Sequence, residues 1–466
     1  MMKKYDVVLV GAGPAAIFAA LELVKKDGLD VLILEKGKGL EERHCPARDG
    51  KCIFCRPCAI TSGWGGAGAF SDGKLTLSPK VGGWLGDFIS LEKLIHLIDH
   101  VDSVFQDFGA PVGREYGVNG KKIDDLVKEA KLAELTLVPV RMKHLGTDNC
   151  ARVLKEIYRF LEGKVDILFS TKADEILTQD GKVKGVRTKQ GDFLASVVVL
   201  APGREGADWL SRVGSQLGLK LTRNAVDIGL RVEVPAAVME KLTSVLYEAK
   251  YIYFSRSFED KVRTFCMNPY GVVSTELYED VLTVNGHSYA EQQTENTNFA
   301  LLVSTSFTEP FKEPIAYGKY IARLANLLGD GIILQRLGDL LKGRRSTWQR
   351  VKRSLVSPTL PWVTPGDLSF VLPYRYLSGI LEMLEAMDKV TPGVYSNHTL
   401  LYGVEVKFYS SRLKLNLDLE TEVKGLYAIG DGAGITRGLV QAAASGVLVA
   451  RAITKKLALS SLKNGG

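Results

Sequence analysis

The chain has 466 residues, 46% hydrophobic and 24% charged, with a formal net charge of +7. That length accommodates two or three domains with cores of their own, and no apolar run approaches the length of a membrane span. The charge is mild for the length: it permits an acidic partner but gives no argument for nucleic acid.

The first predicted element is a strand, Tyr5 to Val10, which runs through Gly11-Ala12-Gly13-Pro14-Ala15-Ala16 into a helix from Pro14 to Lys26. Gly11 permits the tight turn. Gly13 has no side chain, so a pyrophosphate could approach the backbone, and Ala16 is small enough for helix–strand packing. The helix N-terminus offers free N–H groups and partial positive charge. A second strand, Val31 to Leu34, ends at Glu35, an acid placed about 20 residues beyond the glycines, where dinucleotide folds bind the adenosine ribose. Lys3 and Lys4 before an apolar run outline an export signal. The run continues into an amphipathic helix and a second strand without a convincing cleavage site, so a cytoplasmic protein is expected.

Four of the six cysteines crowd between residues 45 and 58, as Cys45, Cys52, Cys55 and Cys58. Pro46, Gly50 and Pro57 favour a turning loop. In a reducing cytosol such a loop suggests metal or redox chemistry before structural disulfides. An iron–sulfur cluster is the first expectation and a zinc site the second. Cys52-x-x-Cys55 could also cycle as a dithiol, or the thiols could stay unliganded. Cys150 and Cys266 are expected in the core.

Residues 87–135 read as mostly helical, with Leu91, Leu94, Ile98, Val101 and Phe105 at helical spacing. Val165 to Ala201 reads as a meander that turns at Asp180-Gly181 and closes on a buried strand, Ser196 to Ala201. Short strand-like runs follow from about 224, then helical stretches near 315–355 and 375–388. Lys342-Gly343-Arg344-Arg345 with Arg350 to Arg353 is the densest basic stretch, read first as a solvated face. A strand at Gly425 to Ile429 and a helix from Leu439 to Leu457 close the chain.

Two segments from opposite ends carry a likeness. Gly425-Leu426-Tyr427-Ala428-Ile429-Gly430-Asp431-Gly432 resembles the segment with which flavoproteins hold the ribityl chain of FAD, and it stands in the right order after the N-terminal turn. The whole chain resembles the glutathione-reductase-type FAD superfamily and, more closely, a family of FAD-dependent dehydrogenases known as NAD(P)/FAD-dependent oxidoreductases. Ser62-Gly63-Trp64-Gly65-Gly66-Ala67-Gly68-Ala69-Phe70-Ser71-Asp72-Gly73-Lys74-Leu75 carries that likeness, as do Arg263 to Cys266, Val284 to His287, Asn296 to Phe299 and Leu401 to Glu405.

The resemblance implies an α/β protein: a Rossmann-like FAD-binding domain of glutathione-reductase type, interrupted by a second α+β domain. The expected borders are 1–223 with a helical insert at about 87–140, then 224–397 for a substrate or interaction domain, then 398–466. It implies that Gly11, Gly13, Pro14, Ala15 and Ala16 meet the pyrophosphate, and that Glu35, with Lys36 beside it, meets the ribose. Gly65, Gly66, Ala67, Gly68, Ser71 and Asp72 would pass over the phosphates and flavin edge. Ala173 would hold adenine. Ala201, Gly203, Gly430 and Asp431 would lie by the ribityl and phosphate oxygens. Gly438 and Leu439 would aim helix N–H groups at the flavin N1/O2 edge, where reduced flavin carries negative charge.

Lys74 near flavin N5, His287, and Glu405 alternating with Lys407 are the catalytic candidates; His44 and His398 are read as structural. At least three of the four loop cysteines are expected to converge on one point near the flavin. No second dinucleotide unit is visible, because Val81-Gly82-Gly83-Trp84-Leu85-Gly86 lacks a preceding strand and Leu328-Gly329-Asp330-Gly331 has the wrong spacing. NAD(P), if used, would dock transiently. The expected activity is an FAD-dependent oxidoreductase acting on a small molecule or passing electrons to a protein carrier. Two alternatives stay open: an electron-transfer or redox-sensing protein without an organic substrate, and an FAD-dependent nucleic-acid modification factor.

Overall fold

The structure is a computed structural model that describes residues 4–46, 52–113, 115–222, 226–290, 292–305, 313–408 and 412–464. The chain divides into two compact units. Unit 1 comprises Met1–Gly113, Thr147–Asn224 and Ser410–Gly466; unit 2 comprises Arg114–Gly146 and Ala225–Tyr409.

Unit 1 is built on a parallel sheet. Its spatial order is Asp166–Leu168, Val31–Leu34, Lys4–Val10, Gly191–Leu200 and Leu426–Ala428. In chain order this is 3-2-1-4-5, the doubly wound arrangement whose switch point lies between the first and fourth strands. The central stretches of these strands are runs of Val, Leu and Ile: Val7, Val8, Leu9, Leu32, Ile33, Val198, Val199 and Leu200 are fully buried. Such a run suits a parallel sheet covered on both sides. Each of those side chains contributes about 1.5–3 kcal/mol on burial. The strand Leu426–Ala428 joins the N-terminal sheet from the far end of the chain, as its sequence order suggested. Antiparallel strands Ala173–Gln179 and Lys182–Thr188 form the meander; Asp180 at φ 51° and Gly181 at φ 69° make its turn.

The helix Pro14–Leu23 packs on the closing helix Leu439–Asn464 at very short range. A Cβ on Gly446 would stand 2.0 Å from the Ala15 carbonyl oxygen, so glycine is required there. Ala15, Ala16, Ala19 and Ala20 are buried, and their small side chains match that close approach.

Unit 2 holds an eight-stranded, mainly antiparallel sheet. Its central strand, Val226–Pro235, alternates strictly. Ile228, Leu230, Val232 and Val234 face an apolar core, to which the helices Gly120–Leu132, Ala236–Leu246, Pro314–Gly329 and Tyr374–Asp388 contribute. Asp227, Arg231 and Glu233 fall on the other face, and they are buried too.

The expected border at 397 moves to 409. Strand Leu400–Lys407 is held between Val226–Pro235 and Ile332–Arg336, inside this sheet. The expected helical insert is also divided. The helix Leu91–Asp107 stays in unit 1, while residues 114–146 belong to unit 2, where Thr136–Val138 adds a strand beside Lys250–Phe254. Among the described residues no helix is long and apolar enough to cross a membrane.

Candidate functional site: a glycine cradle at the switch point of unit 1

The cradle forms where the first strand of unit 1 ends. Gly11 turns the chain at φ 105°, and a Cβ there would stand 2.3 Å from the Ala201 carbonyl oxygen, across the switch point. Gly13 caps the helix Pro14–Leu23 in an extended conformation, at φ −81° and ψ 178°. A Cβ on Gly13 would meet no protein atom within 4 Å, so packing does not demand glycine there. Pro14 at the first helical position lacks an N–H that would otherwise be orphaned.

Other predicted segments close on this point. Gly65 donates its N–H to the Ala12 carbonyl at 2.8 Å. A Cβ on Gly66 would lie 3.2 Å from Gly13 Cα, and one on Gly68 would lie 2.8 Å from Leu439 Cδ2 and 3.3 Å from Pro14 Cγ. A Cβ on Gly430 would lie 3.0 Å from that of Ala15, and one on Gly432 2.6 Å from the Gly203 carbonyl oxygen. Residues 11–16, 65–68, 201–203 and 430–439 therefore surround one place. Gly203 at φ 63° and Gly438 at φ 94° resemble Gly13 in having open space where a side chain would stand. Ala67 lies within the same short turn, Gly66–Phe70.

Glu35 is 5% exposed and its carboxylate ties three segments together. Ala12 N–H donates to Oε2 at 2.8 Å; Gly37 and Gly63 N–H donate to Oε1 at 2.7 and 2.9 Å. A carboxylate has about four acceptor directions, so about one is left beyond these three bonds. Lys36 forms an ion pair with Glu205, and burial pushes its ammonium down to about 8, partly offset by Glu35. Thr171 N–H donates to the Glu35 carbonyl at 2.9 Å, which places Ala173 two residues beyond that bond.

At the far end of the cradle Asp431 accepts from Thr436 Oγ1 at 2.8 Å and from Gly438 N–H at 3.3 Å. Burial raises its carboxyl above the ordinary range; Arg204, 3.9 Å away, and the two hydrogen bonds oppose that rise. Together these bonds fix the N-terminus of the helix Leu439–Asn464.

Three catalytic candidates are corrected or relocated. Lys74 is nearly buried and paired with Asp72 at 2.8 Å, so both serve as an internal ion pair beside the loop. Ser71, next to them, donates to the Gly68 carbonyl at 2.9 Å. Glu405 lies in unit 2, fully buried, 2.9 Å from Arg231, which is fully buried as well. Lys407 stands 3.1 Å from its other oxygen. Glu405 is thus a counter-ion, without the access that an acid or base needs. His287, also in unit 2, lies 3.2 Å from the Tyr289 hydroxyl. The basic stretch of unit 2 is organised around buried Asp339, with Arg344 at 2.9 Å and Arg336 and Arg350 at 3.9 Å.

The cysteine expectation is corrected too. Among the described residues no three His, Cys, Asp or Glu side chains are grouped to hold a metal, and all four loop cysteines are half-buried. Cys58 lies within electrostatic reach of Lys36 and Arg43. Cys150 is in the core as expected, its thiol pushed far up by burial. Cys266 is only half-buried.

Arg43 went unrecognised in the sequence. It is 6% exposed, and its guanidinium donates to the carbonyls of Ala59, Ile60, Trp64 and Gly66 at 2.6–2.9 Å. Burial lowers its pKa to about 10. A lone arginine among charged neighbours gives no local signal of such a role.

The chain is 29% identical over 485 aligned positions to an uncharacterized protein of Clostridium beijerinckii (strain ATCC 51743 / NCIMB 8052), covering 97% of this chain and 81% of that one. Solved structures similar to it include L-proline dehydrogenase from P. horikoshii, at 12% identity and a TM-score of 0.43, with 98% of this chain and 95% of that one covered. Glycine oxidase from Bacillus cereus ATCC 14579 is another, at 14% identity and a TM-score of 0.38, covering 97% and 95%. Both likenesses are too distant to carry a functional argument. Residues 225–408, which make up most of unit 2, match the family described as FAD-dependent protein, C-terminal domain-like.

Proposed function

We propose that unit 1 is an FAD cradle and that the protein is an FAD-dependent oxidoreductase. The observation that carries this reading is the open space at Gly13, at a helix N-terminus on the switch point of a doubly wound sheet, with three other glycine-bearing segments closing round it. The family match of residues 225–408 supports the same cofactor.

The residues present fit the group. The N–H groups at the start of the helix Pro14–Leu23 point at the place for phosphate, and the open backbone at Gly13 and Gly203 lets phosphate oxygens approach. Glu35 keeps one acceptor direction for the ribose. Asp431 holds the turn ahead of Gly438, so the first N–H groups of the closing helix face the end of the cradle where negative charge would gather. Bound FAD would supply hydride or single-electron transfer; the protein supplies position, electrostatics and exclusion of water. An organic substrate is the favoured electron source, with a protein carrier the other candidate.

The test is direct. Protein purified without added cofactor should release FAD, not FMN, on denaturation, and its visible flavin band should bleach under anaerobic conditions with a reducing substrate. Protein that carries no flavin, and takes up none when refolded with excess FAD, contradicts the reading.

A further inference from the structure

Unit 2 carries a charged surface that the cradle does not use. Between Asp339 and Asp367 the chain has no acid, yet it has Lys342, Arg344, Arg345, Arg350, Lys352 and Arg353. The two bounding acids are occupied within the fold. Asp339 is fully buried; it accepts from Ser346 Oγ at 2.8 Å and from Arg344 Nε at 2.9 Å, with Arg350 Nε 3.9 Å away. Asp367 accepts from the N–H and the hydroxyl of Ser369 at 3.0 and 2.7 Å. Lys342, Arg345, Lys352 and Arg353 are exposed and form no ion pair among the described residues.

The fold holds this stretch in place. Ser346 N–H donates to the Gly366 carbonyl at 2.9 Å, Arg336 N–H to Ser346 Oγ at 2.9 Å, and the Arg350 guanidinium to the Arg345 carbonyl at 2.9 Å. Val351, Val356 and Leu360 turn inward, into a small apolar core with Ile332 and Leu334. What that packing leaves outside is large and apolar: Trp348 is 46%, Leu355 79% and Trp362 51% exposed. Trp362 stands directly before Val363–Pro365, the edge strand of the eight-stranded sheet, and Gly366 just after that strand is bonded to the basic turn. Cations without counter-ions and exposed apolar side chains therefore gather at one edge of the sheet.

We propose that residues 342–362 form a docking surface for an anionic phospholipid bilayer. Lys342, Arg345, Lys352 and Arg353 meet headgroup phosphates, while Trp348, Leu355 and Trp362 enter the boundary between headgroups and acyl chains. Charge complementarity calls for an anionic partner, and the apolar side chains decide which one. An acidic soluble protein answers the cations alone. An anionic bilayer answers both sets, because its negative surface lies directly over an apolar layer, and tryptophan favours that boundary. Each Lys or Arg near such a surface strengthens attachment roughly fivefold, equivalent to about 1 kcal/mol. The attraction is screened by salt. This inference goes beyond the FAD reading and does not depend on it.

The experiment sediments the full chain with vesicles of phosphatidylglycerol and phosphatidylcholine, and with vesicles of phosphatidylcholine alone. The expected result is binding to the first kind only, reversed by high salt, with a blue shift of tryptophan emission that Trp348→Phe/Trp362→Phe abolishes. Lys352→Gln/Arg353→Gln should weaken binding by on the order of twentyfold. Leu355→Ser should weaken it by on the order of tenfold. All these side chains are exposed, so the circular dichroism of the variants should match that of wild type. No sedimentation with anionic vesicles, equal sedimentation with both kinds, or unchanged binding by the variants would each overturn the proposal. Retention on immobilised poly-glutamate or on a DNA oligonucleotide, with none on vesicles, would overturn it in favour of an acidic protein or a nucleic acid. Each of these outcomes leaves the FAD reading intact.

Discussion

In unit 1, a Cβ on Gly13, Gly203 or Gly438 would meet no protein atom within 4 Å. In unit 2, a Cβ on Gly286 would lie 2.2 Å from Asn298 Oδ1 and 2.5 Å from an Arg231 terminal nitrogen. The two sets of glycines do different work. The first set stands in open space, which the FAD reading assigns to the cofactor. The second lets the hairpin Val272–Tyr278/Val281–His287 settle onto a buried polar layer, where protein fills the space. In that layer Arg231 donates to Asn298 at 3.0 Å, Glu405 at 2.9 Å and the Cys266 carbonyl at 2.8 Å. The surroundings of the absent Cβ identify Gly286 as a packing contact; open space at Gly13 is only compatible with a ligand, since turn glycines such as Gly181 and Gly191 have it too.

Substitutions on the two sides should behave accordingly. Gly13→Val should weaken FAD binding by on the order of a hundredfold or more, while costing only about 1 kcal/mol of stability as a poorer helix cap. Equilibrium binding and denaturant unfolding read the two effects; equal losses in both would erase the distinction. Arg231→Met leaves Glu405 buried without its main partner and should cost about 3–5 kcal/mol. The double variant Arg231→Met/Glu405→Leu should recover part of that loss, and the folded fraction should still bind FAD. Gly286→Ala should cost about 1–3 kcal/mol, because the atoms its methyl would strike are themselves tied into the Arg231 layer.

The smallest effect is a pH slope. Burial raises the Glu233 carboxyl above its ordinary 4.5, despite hydrogen bonds from Thr359, Tyr402 and Asn296. The folded chain thus holds a proton that the unfolded chain releases. Stability from this group is full below 4.5 and is lost as pH rises through the raised folded value. Glu233→Gln should flatten that decline; an unchanged slope of unfolding free energy against pH would show that Glu233 does not cause it.

What was legible in the sequence was local. Strand, turn, helix, strand and acid follow one another from Tyr5 to Glu35, and the Asp180-Gly181 turn is fixed by two adjacent residues with positive φ. What was not legible depends on partners far along the chain. Val226 to Val234 alternates apolar and polar residues, the pattern of a strand with one wet face. Its polar face is nevertheless buried, because Glu405 and Asn298 arrive there from distant strands. Arg43 gains its role only when residues 59–66 fold back over it. The cysteine spacing announced a cluster but not its geometry, and it gave no sign that Cys58 would sit within electrostatic reach of Lys36 and Arg43.

The central claim is that the space at Gly13 belongs to FAD. Titrating cofactor-free, reduced wild-type protein with FAD, and reading bound flavin by absorbance after gel filtration, tests it most directly. The predicted result is saturation at one FAD per chain for wild type and none retained by Gly13→Val, with both proteins folded. Equal retention by the two, or none by either, would contradict it.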